Sequence, residues 1–591
     1  MLFAAANNVH VMRNVEIAEA LDELAVLYEL DEAVKYRVLA YRQAARTVRD
    51  SPMSIAQLAE EGRLTELHGI GKTLEEKIKT LLETGEIPSA ARLKQKFPPT
   101  LIEVTRIPGV GAKTARRLYD ELGIATLEDL KAAAKAERLR GMRGLGPKSE
   151  ERILAELDKL VDAGPADRYR LDQVMTMATE LRDFLRGHPA AGRVELAGSL
   201  RRRTETCKDI DLIATTTDPD SLAAALIGNE LTFEPRSAGE GGASIVTHSG
   251  IKIDLRIAAD HCFGNLLQHF TGSAEHNVQL RERAQAMGLS VSEHGITDTE
   301  TGEVECHESE ADVYERLGLP YIEPELREGR GEITAAAAGE LPDLVDIGDI
   351  RGDLHCHTTL SDGHNSLEDM AEAARARGYS YLAVTDHSAS HGFGNHVTDA
   401  QLAERIEEVR ALNENLKGSR FRVLAGSEVN IGTDGAMDYP DELLAELDWV
   451  MASVHTSFST DERRMTDRVL AAIDHPWVDC IGHLTGRLIL RREPYAVDVE
   501  RIAEAAAANG TMIEINGNPN RRDLSEHHAR LAAEAGAMIC LNTDAHRART
   551  MDNMAYAVAT ARRAWLTPEQ VANTRSWRSF APLRKHARSK R

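Results

Sequence analysis

Between residues 353 and 546 short apolar runs recur, each closing on or near a histidine or a carboxylate. They read YLAVTDH, FRVLAGSEV, WVMASVH, CIGHL, TMIEING and MICLNTDAH, with helical stretches between them. Strands this short and apolar are buried on both faces, and intervening helices supply the cover. The rhythm is that of a parallel barrel or a wound sheet. The C-terminal segment that contains them, residues 350–580, is roughly 230 residues long, close to one barrel domain.

The ends of those runs carry the chemistry. In D-L-H-C-H, His355 and His357 alternate along a strand and so share a face. Asp362, His387, Glu428, His455, His483, Asp544 and His546 follow, mostly at strand ends, where barrel folds gather their active sites. A single histidine there is more often a core or surface residue, but nine such side chains together point to metal. Mixed imidazole and carboxylate ligands suit Zn²⁺, Mn²⁺ or Fe²⁺. Nine ligands exceed the need of one ion, so two or three are expected. Clustered ions generate hydroxide and clamp a phosphate ester, which means hydrolysis. Asp353 is expected to orient a ligand histidine, and Arg487, Arg491 and Arg492 either to hold phosphate or to stand solvated, as arginine pairs equally do.

The N-terminal third is helical and repeats one turn three times: Gly69/Gly71, Gly109/Gly111 and Gly144/Gly146, with Lys72, Lys113 and Lys148 close behind. Paired glycines let the backbone turn tightly and bring amides at the next helix's start up to a phosphate. One copy is weak, because helix ends also use glycine; three copies with the same lysine placement predict DNA binding. The pattern resembles the helix-hairpin-helix motif, which grips the DNA backbone without reading sequence. Gly71-Lys72-Thr73 is not a nucleotide P-loop, since Glu66 stands where that motif needs glycine.

Further along, Asp209 and Asp211 alternate on a strand and Asp254 comes from a neighbouring one. Carboxylates converging on one sheet face repel unless cations lie between them, and hard Mg²⁺ or Mn²⁺ suits such a triad. Two ions can activate a 3′-hydroxyl and stabilise a leaving pyrophosphate. Gly198 and Ser199 open the preceding turn, where backbone amides, Ser199 and Arg202 can hold a triphosphate.

GSLRRR…DIDL, KIDLR and HFTGSAEHN together resemble the nucleotidyltransferase core of the family X DNA polymerases, the polymerase beta group. The resemblance implies that Asp209, Asp211 and Asp254 are the catalytic metal triad and that Ser199 and Arg202 bind the β- and γ-phosphates. It places Phe270 and Gly272 beside the sugar, Asn277 at the base's minor-groove edge and Arg281 on the template. Two positions depart: His269 stands where that group carries Tyr, and Ala274 where it carries Asp. Lys77 falls where the family's lyase domain carries its Schiff-base lysine, although Thr73 and Arg37 depart from the surrounding pattern and a helical lysine is usually a solvated charge. The C-terminal segment resembles the PHP family (polymerase and histidinol phosphatase), a distorted barrel with a trinuclear site, and fills all nine ligand positions.

Charge runs against a DNA enzyme. There are 94 Asp and Glu against 71 Lys and Arg, a net charge of −23, and an acidic chain repels nucleic acid. An acidic, lysine-poor surface adapted to a salty cytoplasm reconciles the two, because the Debye length falls to about 3 Å at 1 M salt; an ordinary acidic cytosolic protein is the alternative. No apolar run is long enough to span a membrane. The six cysteines, scattered without a CxxC pair, suit a reducing cytoplasm and give no disulfide framework or zinc ribbon.

The expectation is a multidomain α/β protein: helical helix-hairpin-helix N-terminal domains, a nucleotidyltransferase palm with a mixed β-sheet, a thumb and a C-terminal distorted (β/α)7 PHP barrel. Its divisions are an extension at 1–12, a lyase-like domain at 13–90, fingers at 91–165, palm at 166–262, thumb at 263–332, linker at 333–349, barrel at 350–580 and basic tail at 581–591. The resemblance implies a repair polymerase that fills gaps in nicked or gapped duplex with dNTPs, and a cytoplasmic monomer is expected. Its barrel would act as a metal-dependent 3′→5′ exonuclease, with abasic-site endonuclease or 3′-phosphatase activity as further expectations. The competing readings are a small-molecule phosphatase fused to DNA-binding modules and a catalytically dead DNA-damage scaffold.

Overall fold

A computed structural model describes residues 12–162, 168–389, 396–585 and 587, apart from Pro52, Pro108 and Arg143. Most of the N-terminal extension and of the basic tail lies outside the described residues. The chain forms two compact units. The first comprises Met1–Tyr169, Thr176–Leu196 and Lys208–Asp260, and the second Arg170–Met175, Ala197–Cys207 and His261–Arg591. The compact units thus cut across the contiguous palm expected at 166–262.

In the first unit, helices from Asn14–Leu30 to Pro147–Asp162 share one hydrophobic core. Asn14 ties the first helix down: its buried side chain donates to the carbonyls of Ser51 and Met53 and accepts from the Ile55 amide. A five-stranded sheet follows, in the order Ala191–Leu196, Asp209–Thr216, Lys252–Ala258, Gly242–Thr247, Thr232–Gly239. Asp209–Thr216 and Lys252–Ala258 run parallel and all other neighbours antiparallel, so the sheet is mixed as expected.

The second unit holds a small antiparallel sheet of Leu289–Ser292, Gly295–Asp298 and Val304–Glu305. Around it lie the helices Phe263–Thr271, Ala274–Ala286 and Glu310–Arg316. Here the structure corrects two expectations. Cys262 and Cys306 are joined as a disulfide, a pairing that a separation of 44 residues gave no means of seeing. The expected linker at 333–349 is packed structure: Glu332–Ala338 is a helix, and Ile333, Ala336, Leu344 and Val345 are buried. An alanine run has the highest intrinsic helix propensity, and its apolar face found a core.

The barrel consists of seven parallel strands in chain order: Gly352–Asp353, Tyr381–Val384, Arg422–Asn430, Trp449–Ser453, Cys480–Ile481, Met512–Asn516 and Ile539–Asn542. A parallel bridge between Cys356 and Ala545 brings the first and last strands together. Side chains alternate as strand geometry requires. Tyr381, Ala383, Leu424, Trp449, Met451, Met512 and Cys540 fill the interior, while Leu382, Val384, Val423, Val450, Ile513 and Leu541 join the outer core beneath the helices. Phe580 plugs the N-terminal mouth, stacked on Tyr381 at 4.9 Å and tilted against Trp449 at 5.8 Å, each the first residue of its strand. No described helix is long and apolar enough to cross a membrane.

Candidate functional site

The inward register that fills the barrel also delivers its ligands. Tyr381 and Ala383 point in, and two steps of two bring His387 to the same side; Leu424 leads likewise to Glu428, Met451 to His455, and Cys540 to Asp544 and His546. His355 and His357 lie just past their strand rather than on it, with ring centroids 5.1 Å apart. His483 and Asp544 hold left-handed backbones, φ 25° and 52°, a conformation that non-glycine residues adopt where the surroundings impose it, often at functional sites.

All nine expected ligands converge. Eight form three overlapping groups in which one donor atom from each residue lies within 4.8 Å of the others: His357, Asp362, His387 and His546; His355, His357 and Asp544; His387, Glu428 and His455. The ninth, His483, sets its Nε2 2.8 Å from Glu428 Oε1. Glu428 is the hub, within 3.7 Å of His355, His357, His387 and His455 as well. Burial alone would raise Glu428, but the surrounding imidazoles outweigh it and hold the carboxyl well below its usual range. Burial takes His357 and His455 down to about 4, leaving neutral imidazoles.

The fit to metal rests on atoms the protein leaves unused. His355 Nε2, His357 Nδ1 and His483 Nδ1 are buried without a hydrogen-bond partner, an arrangement that costs free energy unless something else ligates them. His355 Nδ1, in contrast, lies 2.7 Å from Glu514 Oε1, so its Nε2 is the ring atom left for an ion.

Sequence reasoning missed Glu514, which is fully buried and also accepts from the His483 amide at 2.7 Å. Its signal was the period-two register of its own strand, two residues after the inward Met512. Asp353 plays a different part from the one expected. It accepts from the His355 and Thr543 amides and the Thr543 hydroxyl, fixing backbone rather than an imidazole ring. Of the three arginines after His483, Arg487 pairs with Glu205 and Arg492 lies over the Phe458 ring; the structure uses both inside the fold.

In the first unit, the parallel register sets Asp211 opposite Asp254 and Asp209 opposite Lys252. Asp209 and Asp211 share a face, and Lys252 Nζ lies 2.7 Å from Asp254 Oδ2. Burial raises Asp211 to about 7, helped by the charges of Asp209 and Asp254. A carboxyl held up by like charges is one that divalent cations would relieve.

The three glycine turns of this unit are built alike. Gly69, Gly109 and Gly144 have φ of 84°, 90° and 88°, and the turns close by Ile70→Leu67, Val110→Ile107 and Leu145→Met142 amide-to-carbonyl bonds. Gly71, Gly111 and Gly146 stand immediately before the helices Lys72–Thr84, Ala112–Leu122 and Pro147–Asp162. Ile70, Val110 and Leu145 anchor each turn in the core while Lys72 and Lys113 are exposed. The Lys148 side chain lies outside the described residues. Lys77 is half-buried on its helix and donates to Ser89 Oγ at 2.9 Å.

The second unit carries the remaining candidates. Gly198 begins a short helix to Arg201 with φ 59°. Arg202 donates from Nε to Glu328 at 3.0 Å and from Nη1 to the Thr271 carbonyl. A Cβ on Gly272 would lie 3.2 Å from Arg202 Nη1, and the Gly272–Ser273 peptide is cis. Asn277 is engaged by Gln268 Nε2 at 2.9 Å and by the His269 carbonyl at 2.8 Å. Phe270 meets the His269 ring edge-on, and Arg281 is exposed.

Helix-hairpin-helix turns, a mixed sheet bearing paired aspartates, a small helical domain and a nine-ligand parallel barrel together define a polymerase of the beta type joined to a metal-dependent phosphoesterase. Family comparison agrees: residues 12–87 match the helix-hairpin-helix domain, 101–159 the SAM-like helix-hairpin-helix tandem, 266–328 the DNA polymerase beta thumb and 353–518 the PHP domain. The chain belongs to the family X DNA polymerases with a C-terminal PHP domain.

Its relatives include the DNA polymerase/3′-5′ exonuclease PolX of Bacillus subtilis (strain 168), 35% identical over 568 residues, which cover 96% of this chain and 98% of that protein. DNA polymerase lambda of Rattus norvegicus is 26% identical over 53% of this chain and 56% of its own length. A probable phosphatase of Thermoanaerobacter sp. (strain X514) is 32% identical over 38% of this chain and 89% of its own.

Proposed function

We propose that the chain is a DNA repair polymerase that fills gaps in nicked or gapped duplex and trims 3′ ends with its barrel. The observation that carries the synthetic half is the register that sets Asp211 opposite Asp254 beside Asp209. Those carboxylates would hold two Mg²⁺ or Mn²⁺ ions, which supply charge stabilisation for nucleotidyl transfer. Ser199 and Arg202, at the turn opened by Gly198, would hold the β- and γ-phosphates. Phe270 and Gly272 would flank the sugar, Asn277 would face the base edge, and Arg281 would touch the template. The glycine turns, with Lys72, Lys113 and Lys148, would carry the backbone grip.

The nine barrel ligands would hold two or three Mn²⁺, Zn²⁺ or Fe²⁺ ions, which supply hydroxide for phosphoester hydrolysis. Glu514 fixes the His355 ring and Asp353 fixes the loop that carries it. Abasic-site or 3′-phosphate cleavage would use the same ligands. Lys77, half-buried beside Ser89, is the Schiff-base candidate for 5′-deoxyribose phosphate removal. We read the protein as a cytoplasmic monomer whose acidic surface suits a saline interior.

One assay tests the scheme: extension and degradation of a labelled primer on gapped duplex by wild type, Asp211→Ala and His355→Ala across salt concentrations. Asp211→Ala should lose synthesis alone and His355→Ala degradation alone. A wild type that neither extends nor trims the primer refutes the reading. The phosphatase alternative draws on a likeness confined to 38% of the chain, and hydrolysis of histidinol phosphate in place of DNA 3′ ends would favour it.

A further inference from the structure

The turn that leads into the aspartate strand belongs to the second unit, and barrel residues hold it at four successive positions. Arg563 Nη1 donates to the Arg202 carbonyl at 2.7 Å. Arg522 donates from Nη2 to the Arg203 carbonyl at 3.1 Å and from Nη1 to the Thr204 carbonyl at 3.0 Å. Arg487 Nη1 pairs with Glu205 Oε2 at 3.0 Å, and its Nη2 also donates to the Arg522 carbonyl. Arg522 and Arg563 are buried, with 1% and 4% exposure.

The rest of the network is just as closed. Arg522 Nε donates to Thr560 Oγ1 at 2.9 Å, and Arg563 grips Glu526 through Nε and Nη2 at 2.9 and 2.7 Å. Glu328 Oε1 receives both Arg563 Nη1 at 2.8 Å and Arg202 Nε at 3.0 Å. One carboxylate thus joins a barrel arginine to the arginine assigned to the triphosphate. Arg203 is left-handed at φ 56°, a backbone state that an L-residue with a long side chain keeps only when its surroundings hold it. Charge-assisted bonds from buried guanidiniums are strong and directional enough to do so.

We infer that Arg522, Arg563 and Arg487 are positioning residues for nucleotide addition, acting through the 202–205 backbone and Glu205 to set the phosphate-binding turn. The inference rests on the assignment of Ser199 and Arg202 to the triphosphate. The barrel therefore supports the phosphate-binding turn of its own unit as well as forming a separate hydrolase. Lysine at 522 keeps the charge but lacks the planar fork that reaches two carbonyls at once.

The test is steady-state extension of a gapped duplex at varied dNTP by full-length wild type, Arg522→Lys, Arg563→Lys and the milder Glu205→Gln, with 3′ degradation measured on the same preparations. The expected result is a dNTP KM about tenfold higher in each arginine variant, the scale of one lost charge-assisted bond. Glu205→Gln should give a smaller rise, with degradation within about twofold of wild type throughout. The inference is overturned if Glu205→Gln and the arginine variants keep the wild-type dNTP KM. It is equally overturned if synthesis and degradation fall by one common factor, since the arginines then serve only folding. Ser199→Ala and Arg202→Ala run in parallel: if they leave the dNTP KM unchanged, the triphosphate assignment fails and takes this inference with it. If they raise it while the arginine variants do not, the anchoring alone fails.

Discussion

Asp211 and Asp254 face each other across neighbouring parallel strands, and Asp211, raised to about 7 by burial and by the charges of Asp209 and Asp254, is the strained member of the group. Asp211→Asn removes a metal ligand and a repulsive charge together. Extension should fall by about a hundredfold or more, the scale on which loss of a charge-stabilising group acts. Without divalent ions the variant should melt at or above the wild-type temperature. Unchanged extension, or a lower metal-free melting point, contradicts the assignment.

Glu428 touches five imidazoles, so its loss should disorganise the whole barrel site. Glu428→Gln should retain less transition metal after dialysis, read by elemental analysis, and degrade 3′ ends at least about tenfold more slowly. Extension by the same sample should stay at the wild-type level. Full metal content with full degradation would remove Glu428 from the site.

If the acidic chain concentrates its DNA contacts in the three glycine turns, as proposed, each turn should matter. The exposed Lys72 and Lys113 are the first and second residues of the helices Lys72–Thr84 and Ala112–Leu122. Lys72→Ala and Lys113→Ala should each weaken duplex binding and reduce the slope of log K against log salt by about 0.9. Gly109 has φ 90°, and a Cβ there would lie 2.8 Å from Arg152 Nη2, so Gly109→Val should weaken binding by deforming the turn. Binding isotherms with unchanged slopes would place DNA elsewhere.

Glu310 is one of the buried acids of the second unit, at 5% exposure. Burial alone would raise it, but Arg327 and Arg201 outweigh that and hold it at about 2, against an ordinary 4.5. A carboxyl with a depressed folded-state value stabilises above its unfolded value and loses that stability as pH falls from 4.5 towards 2. The contribution is on the order of 3 kcal/mol. Glu310→Gln should melt well below wild type at pH 7, and the gap should close by about pH 2. A gap independent of pH would show that the pair contributes packing rather than charge.

Much was legible in the sequence because it obeys a local period. The inward step of two from Tyr381 to His387, and from Cys540 through Asp544 to His546, follows strand geometry, and the glycine turns repeat one local bond pattern. The same period could have found Glu514.

What required tertiary structure was every contact between distant parts of the chain. The Cys262–Cys306 bond, the packing of 333–349 and the turning of Arg487 to Glu205, 282 residues away, leave no local trace. An arginine's fork is the same chemistry whether it meets phosphate or a carboxylate. Sequence by itself therefore determined the candidate side chains and the period at which they recur. Only the packed chain decided what each of those groups faces, because partner choice depends on desolvation and distance, neither of which exists until the elements meet.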